Sequence, residues 1–235
     1  GAQAGTCLHA IFEVWEFTAP CDDKLLALVT TTLQRYGIAT DFAPFVVQNV
    51  VATLQKPLFP TRAGAQVCLA QIPVTQRLVE LEFTYPVKQL RRDALYECVA
   101  AAQVSTDFLR ALKQCDFLPL QGFMKGFIDL VVRVDDKFYI IDYKSNFLGE
   151  QLEDYQPAAL LPAMVEHHYY LQYWLYTVAL HRYLQVRLAN YSYERHFGGV
   201  AYLFLRGMSL HGNYGVFWDR PSKALIEALS ALLDG

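Results

Sequence analysis

The order of patterns along this chain predicts an α/β domain with a mixed sheet and an N-terminal helical part. Three observations carry that expectation. Helix-period apolar stretches fill the opening third, strand-like runs follow around positions 77–87 and 127–144, and a long helical segment separates these from further short strands. No internal repeat and no low-complexity linker interrupts the series.

From Thr6 to about Phe17, LHAIFEVWEF has helical apolar spacing, with Thr6 where an N-cap would stand. LLALVTTTLQRYG predicts a second helix ended by Gly37. Asp41 to Leu54 predicts a third, closed by the proline-containing LQKPLFP. Arg77 to Val87 (RLVELEFTYPV) alternates as a strand does. Arg91 to Lys113 predicts a helix, though its middle, ECVAAAQVSTDF, is ambiguous. FIDLVVRV and KFYIIDYK form a strand pair about Asp135-Asp136. The segment from Gln156 onward is helical with an interruption expected at Pro162. GGVAYLFLRG is a glycine-bounded strand, NYGVFWDRP another, and PSKALIEALSALLD a closing amphipathic helix with Pro221 near its first turn.

Composition excludes several classes. At 54% hydrophobic and 18% charged, the 235 residues can bury a sizeable core and do not describe a disordered chain. No apolar run approaches the roughly 18 to 20 residues of a membrane span, and no signal peptide is visible, so the expectation is a soluble, cytoplasmic protein with no membrane partner. Cys7, Cys21, Cys68, Cys98 and Cys115 are scattered without a CxxC pair, which suggests free buried thiols rather than disulfides or a zinc site. The net charge is −3, whereas a domain that grips nucleic acid unaided is usually basic. A role on DNA would therefore need a local positive groove or a partner that delivers the strand.

Three charges stand where buried strand is expected: Asp129, Asp142 and Lys144. An unpaired buried charge costs several kcal/mol, roughly, so cores avoid it. A two-residue turn at Asp135-Asp136 sets Asp129 opposite Asp142, at about 5 Å between Cβ atoms. Lys144 shares the Asp142 face, and Tyr143 points the other way. Two opposed carboxylates repel unless a divalent cation lies between them, and hard oxygen ligands suit Mg²⁺ or Mn²⁺. A neighbouring lysine can orient water or offset developing negative charge, the equipment of phosphodiester hydrolysis. The competing reading is an Asp–Lys ion pair at a sheet edge with the other aspartate solvated. Strands apolar on both faces favour a central position instead.

GFIDL followed by IDYKSN resembles the RecB-type nuclease domains of the PD-(D/E)xK superfamily. GTCLHAIFE, VELEF, LQYWLYTVALHRYL and HFGGVAYLFLRG extend the likeness over nearly the whole chain. Ile128 stands where the superfamily's name has proline, and no Walker A sequence is present, so the chain looks like the nuclease domain without a helicase motor. The resemblance implies a restriction-endonuclease-like mixed central sheet flanked by helices, residues 1–75 being a helical extension and 76–235 the nuclease core. It implies Asp129, Asp142 and Lys144 as catalytic residues. His9, Glu80, Asp129, Asp142 and the Tyr143 carbonyl are the implied ligands of one or two Mg²⁺ ions, with Mn²⁺ as substitute. Glu82 competes with Glu80, since alternate strand residues share a face. Gln172 and Tyr176, one helical turn apart, match a Q-x-x-x-Y motif that supports the site and contacts DNA. His167, His168, His181, His196 and His211 match no role and are read as structural or exposed. The implied partners are single-stranded DNA, a helicase in the same parent chain, and RecC- and RecD-like subunits. A catalytically inactive scaffold that guides DNA or docks subunits, and a hydrolase of another phosphoester, are the alternatives.

Overall fold

The computed structural model describes residues 2–115 and 119–234. Three helices open the chain: α1 (Ala2–Val14), α2 (Asp23–Arg35) and α3 (Ala43–Gln55). α1 starts a turn before the expected Thr6 cap, because Ala2, Gln3 and Ala4 are good helix formers. In α2 the Asp22 carboxylate accepts the Lys24 N–H at 3.0 Å, while Asp23 and Arg35 complement the helix dipole at its two ends. Gly37 then turns the chain out at φ +62°.

A short hairpin, β1 (Phe59–Pro60) and β2 (Gln66–Val67), leads to the long strand β3 (Arg77–Leu90). The expected single helix after it is two, α4 (Arg92–Ala101) and α5 (Thr106–Gln114). Gln103 at φ +55° breaks the run, and the Ser105 hydroxyl caps the restart by accepting from Asp107 N–H at 3.3 Å. Next come β4 (Leu120–Val134), β5 (Lys137–Lys144), α6 (Pro157–Glu166), α7 (Tyr169–Arg187), α8 (Tyr193–His196), β6 (Phe197–Phe204), β7 (Val216–Asp219) and α9 (Lys223–Asp234). The interruption expected at Pro162 falls at His167-His168, where His168 adopts φ +52°. Pro162 stays inside α6 because it and Ala158 face solvent, so water can take the carbonyl that the proline leaves unpaired.

The sheet has the order β3-β4-β5-β6-β7, antiparallel except for the β5–β6 pair. Val134 pairs with Lys137 across Asp135-Asp136, the expected two-residue turn and register. Helices α1 to α3 pack on one face of this mixed sheet through Ile11, Phe12, Val29, Leu33, Val50 and Leu54. Helices α4 to α7 and α9 cover the other. Each fully buried side chain of this kind stabilises by about 1.5–3 kcal/mol. Arg77, its side chain 4% exposed, ties the start of β3 to the segment after α1 by donating to both Glu16 carboxylate oxygens at 2.7 and 2.8 Å. All five cysteines are free, but only Cys7 is buried; the others are half-buried. Among the described residues no helix is long and apolar enough to cross a membrane.

Candidate active site

The β4–β5 ladder stops at Leu130 and Ile141, while β4 continues alongside β3 as far as Leu120. β4 therefore parts from β5 one residue before the position where Asp129 and Asp142 come level. At the fork the Asp129 carboxylate takes the place of a strand carbonyl, accepting the Tyr143 N–H at 2.9 Å. That bond holds one Asp129 oxygen in place.

On the opposite side of β4, the pairs Val79–Leu130 and Leu81–Ile128 bracket Glu80 and Asp129. Glu80 adopts φ +51°, a left-handed conformation for a residue with a Cβ, at a cost of roughly 1–3 kcal/mol. The ribbon changes facing at this point. Leu130 and Val132 belong to the core under α1 to α3, whereas Ile128 belongs to the core on the other face. Strict alternation would have kept the three together. The same kink separates Glu80 from Glu82, which turns outward and pairs with Lys125 at 2.8 Å. Glu80 and Glu82 were expected to share a face; they do not.

α1 brings the third group. Phe12 stacks on the buried Tyr143 ring, centroids 4.3 Å apart and planes at 14°. Gly5 lets the helix start lie against Ser145, since a Cβ there would meet its hydroxyl at 2.7 Å. With these two contacts set, His9 places Nε2 2.9 Å from the Tyr143 carbonyl oxygen and Nδ1 3.5 Å from Asp129 Oδ2. Ligand atoms of His9, Glu80 and Asp129 all lie within 4.8 Å of one another. Glu13, one turn beyond His9 on α1, lines the same small cavity. Its i, i+4 spacing from His9 was the sequence signal for it, and it went unread.

Asp142 pairs with the strand lysine. Its Oδ2 lies 2.6 Å from Lys144 Nζ, with side chains 2% and 12% exposed. Lys144 Nζ also donates to Gln172 Oε1 at 2.9 Å, and Gln172 Nε2 donates to the Tyr176 hydroxyl at 2.9 Å. The i, i+4 pair on α7 thus reaches the strand lysine. Two tyrosines complete the setting. The Tyr202 hydroxyl donates to the same Gln172 oxygen at 3.0 Å, and Lys144 Nζ lies 4.0 Å from the Tyr169 ring centre. Tyr202 is level with Asp142 in the β5–β6 register, a pairing between distant segments that spacing alone could not give. Tyr169 precedes Gln172 by three on one helix face, so its signal was present.

Three carboxyls here are held above their ordinary range. Burial, then the charge of Asp142, pushes Asp129 up to about 8 against the opposing pull of the Tyr143 N–H and Lys144. Burial also raises Asp142, with Lys144 pulling it back. Glu80 rises through burial and the neighbouring Glu13. A site with this surplus of negative charge is stabilised by a cation, and the converging carboxylates of Glu80 and Asp129 with the His9 imidazole form a donor set that suits a small divalent ion. The unmatched histidines stand apart from it. His167, His168 and His211 are exposed, and His181 and His196 are buried, His181 against the Tyr191 hydroxyl at 3.0 Å.

A family model described as the PD-(D/E)XK nuclease superfamily matches residues 1–213. The chain belongs to that superfamily. The five-stranded mixed sheet flanked by helices agrees with the restriction-endonuclease-like fold. The chain is 40% identical over 242 residues to RecB, a subunit of the RecBCD enzyme of Escherichia coli K12, covering 100% of this chain and 19% of that protein. RecB of Haemophilus influenzae is 35% identical over 232 residues, covering 99% and 18%. RecB of Mycolicibacterium smegmatis is 34% identical over 267 residues, covering 100% and 24%. This PD-(D/E)XK chain spans about a fifth of the length of the curated relatives it matches.

Proposed function

We propose that the chain is a divalent-metal-dependent deoxyribonuclease that hydrolyses phosphodiester bonds of single-stranded DNA. The observation that carries this is the fork itself, where His9, Glu80 and Asp129 converge beside an Asp142–Lys144 pair. His9, Glu80, Asp129, Asp142 and the Tyr143 carbonyl would hold Mg²⁺, or Mn²⁺ in its place. Such an ion supplies Lewis-acid polarisation of the phosphoryl oxygen and a hydroxide-like water. The chain's own residues do the rest. Gln172, braced by Tyr176 and Tyr202, fixes Lys144 Nζ. From there the lysine can orient the attacking water or offset charge that develops on the phosphate. Asp142 also pairs with Lys144, at 2.6 Å.

In this reading residues 1–75 are the helical part that delivers His9, and 76–235 the nuclease core. The chain works in the cytoplasm, off the membrane, as the nuclease portion of a RecBCD-type recombination-repair enzyme. A helicase and RecC- and RecD-like subunits feed it the strand, which fits a net charge of −3. Asp142→Ala tests it. Mg²⁺-dependent cleavage of single-stranded DNA falls at least about 100-fold while the circular dichroism spectrum is kept. Undiminished cleavage by the variant sinks the assignment.

A further inference from the structure

Lys144 is followed at once by a loop that presents a large apolar ring to water. Phe147 is 64% exposed, although the backbone on either side of it is braced. The Tyr155 hydroxyl accepts the Leu148 N–H at 3.1 Å and donates to the Asn146 carbonyl at 3.4 Å. The Tyr169 hydroxyl donates to Asn146 Oδ1 at 3.1 Å, and Arg206 Nε donates to the Ser145 carbonyl at 2.9 Å. Gly207 makes the bracing possible, since a Cβ there would run into the Tyr155 ring at 2.1 Å. Burying a phenylalanine is normally worth about 1.5–3 kcal/mol, so holding one outward with four neighbouring polar contacts needs a reason outside folding.

Arg206 gives the chemistry of that reason. Its guanidinium carbon lies 5.9 Å from the Phe147 ring centre, and it has no carboxylate partner among the described residues. An exposed aromatic face with an uncompensated guanidinium beside it is the combination that stacks a nucleobase and takes the adjoining phosphate. Across the fork the β4 ribbon repeats the arrangement in weaker form. Phe127, 43% exposed and two residues before Asp129, carries Lys125 Nζ 5.4 Å from its ring centre, but that lysine is already paired with Glu82.

We propose that Phe147 and Arg206 form a stacking platform for the nucleotide next to the scissile phosphate, with Phe127 as the lesser counterpart on the opposite lip. The proposal rests on the nuclease reading above and deepens it. The platform recognises a base with a free π-face, so it selects single strands over duplexes without selecting sequence.

The test compares cleavage by the chain of a twelve-nucleotide oligothymidylate with a strand of the same length whose interior sugars lack bases. Phe147→Ala lowers kcat/KM on oligothymidylate by about 5- to 150-fold and leaves the abasic strand within about twofold. Arg206→Ala lowers kcat/KM on the two strands alike, because it acts on phosphate. Phe147→Trp retains oligothymidylate cleavage, and Phe127→Ala loses less than Phe147→Ala. Mn²⁺ titration of each variant gives the wild-type isotherm, showing an intact metal site. An equal loss on both strands in Phe147→Ala would overturn the proposal, because the ring then serves packing. No loss on either strand also overturns it and assigns the ring to a protein contact. Wild-type chain that binds no Mn²⁺ and cleaves neither strand fails earlier, refuting the nuclease reading and the platform with it.

Discussion

The two halves of the candidate site are built differently. Asp129, Asp142 and Lys144 come from one hairpin whose register is set by a two-residue turn, and Gln172 of α7, bonded in turn by Tyr202 of β6, holds Lys144. His9 and Glu80 come from a distant helix and a kinked strand, held by ring stacking and by a backbone conformation that most residues avoid. The first half is preorganised by short-range geometry and deep burial. The second is more exposed and depends on how α1 seats on Tyr143. In the proposed mechanism Lys144 is thereby held rigid, while the cation's ligands are drawn from both the buried and the looser half.

The largest effect separates the halves by kinetics. On the proposed function, Lys144→Ala removes a group from the reaction centre and lowers cleavage by about 100- to 10,000-fold at every Mn²⁺ concentration. His9→Ala weakens Mn²⁺ binding by about 10- to 100-fold, and its cleavage recovers when Mn²⁺ is raised in proportion. Steady-state rates across a Mn²⁺ titration read both. Recovery of Lys144→Ala at high Mn²⁺ would erase the distinction.

How much of this was legible in the sequence follows the same division. The hairpin and its turn follow from local pattern, because strand alternation and turn length are properties of adjacent residues, but the expected pairing of Asp129 with Asp142 does not form, since the ladder ends at Leu130 and Ile141. The fork was not legible. Nothing in FIDLVVRV says that β4 leaves β5 at Asp129 and stays with β3, since strand alternation does not encode which neighbour a strand keeps. The meeting of Tyr202 with Gln172 likewise joins two segments 30 positions apart through sheet register. His9 and Glu80 came from resemblance alone. The kink at Glu80 shows why alternation could not choose it over Glu82, as alternation fails at the residue in question.

The buried half also predicts a dependence on pH in the metal-free chain. Asp129 has its folded-state value raised from 3.8 to about 8 by burial and by Asp142. Between these values the folded state keeps a proton that the unfolded state has released, so stability falls as pH rises from about 4 to about 8. Chemical denaturation with a chelator present shows that decline. Excess Mg²⁺ flattens it, because the cation takes over the role of the proton. A metal-free stability that rises over the same range would mean that Asp129 sits at or below its ordinary value.

The smallest effect isolates the strained half. At an ordinary strand position glycine is about 0.5–1 kcal/mol less stable than alanine, because it loses more backbone freedom on folding. At Glu80 the sign inverts, since φ +51° is strained for alanine and relaxed for glycine. Glu80→Gly is therefore more stable than Glu80→Ala by about 1 kcal/mol in denaturant titrations without metal. Neither variant has the carboxylate, so their difference reports the backbone alone, while their shared loss of Mn²⁺ affinity relative to wild type reports the ligand. Glycine below alanine would show that the kink relaxes once the carboxylate is gone. In that case the conformation is imposed by the charge cluster around Asp129. Glycine above alanine places the strain in the β3–β4 ribbon itself, where the change of facing between Ile128 and Leu130 demands it with or without an ion.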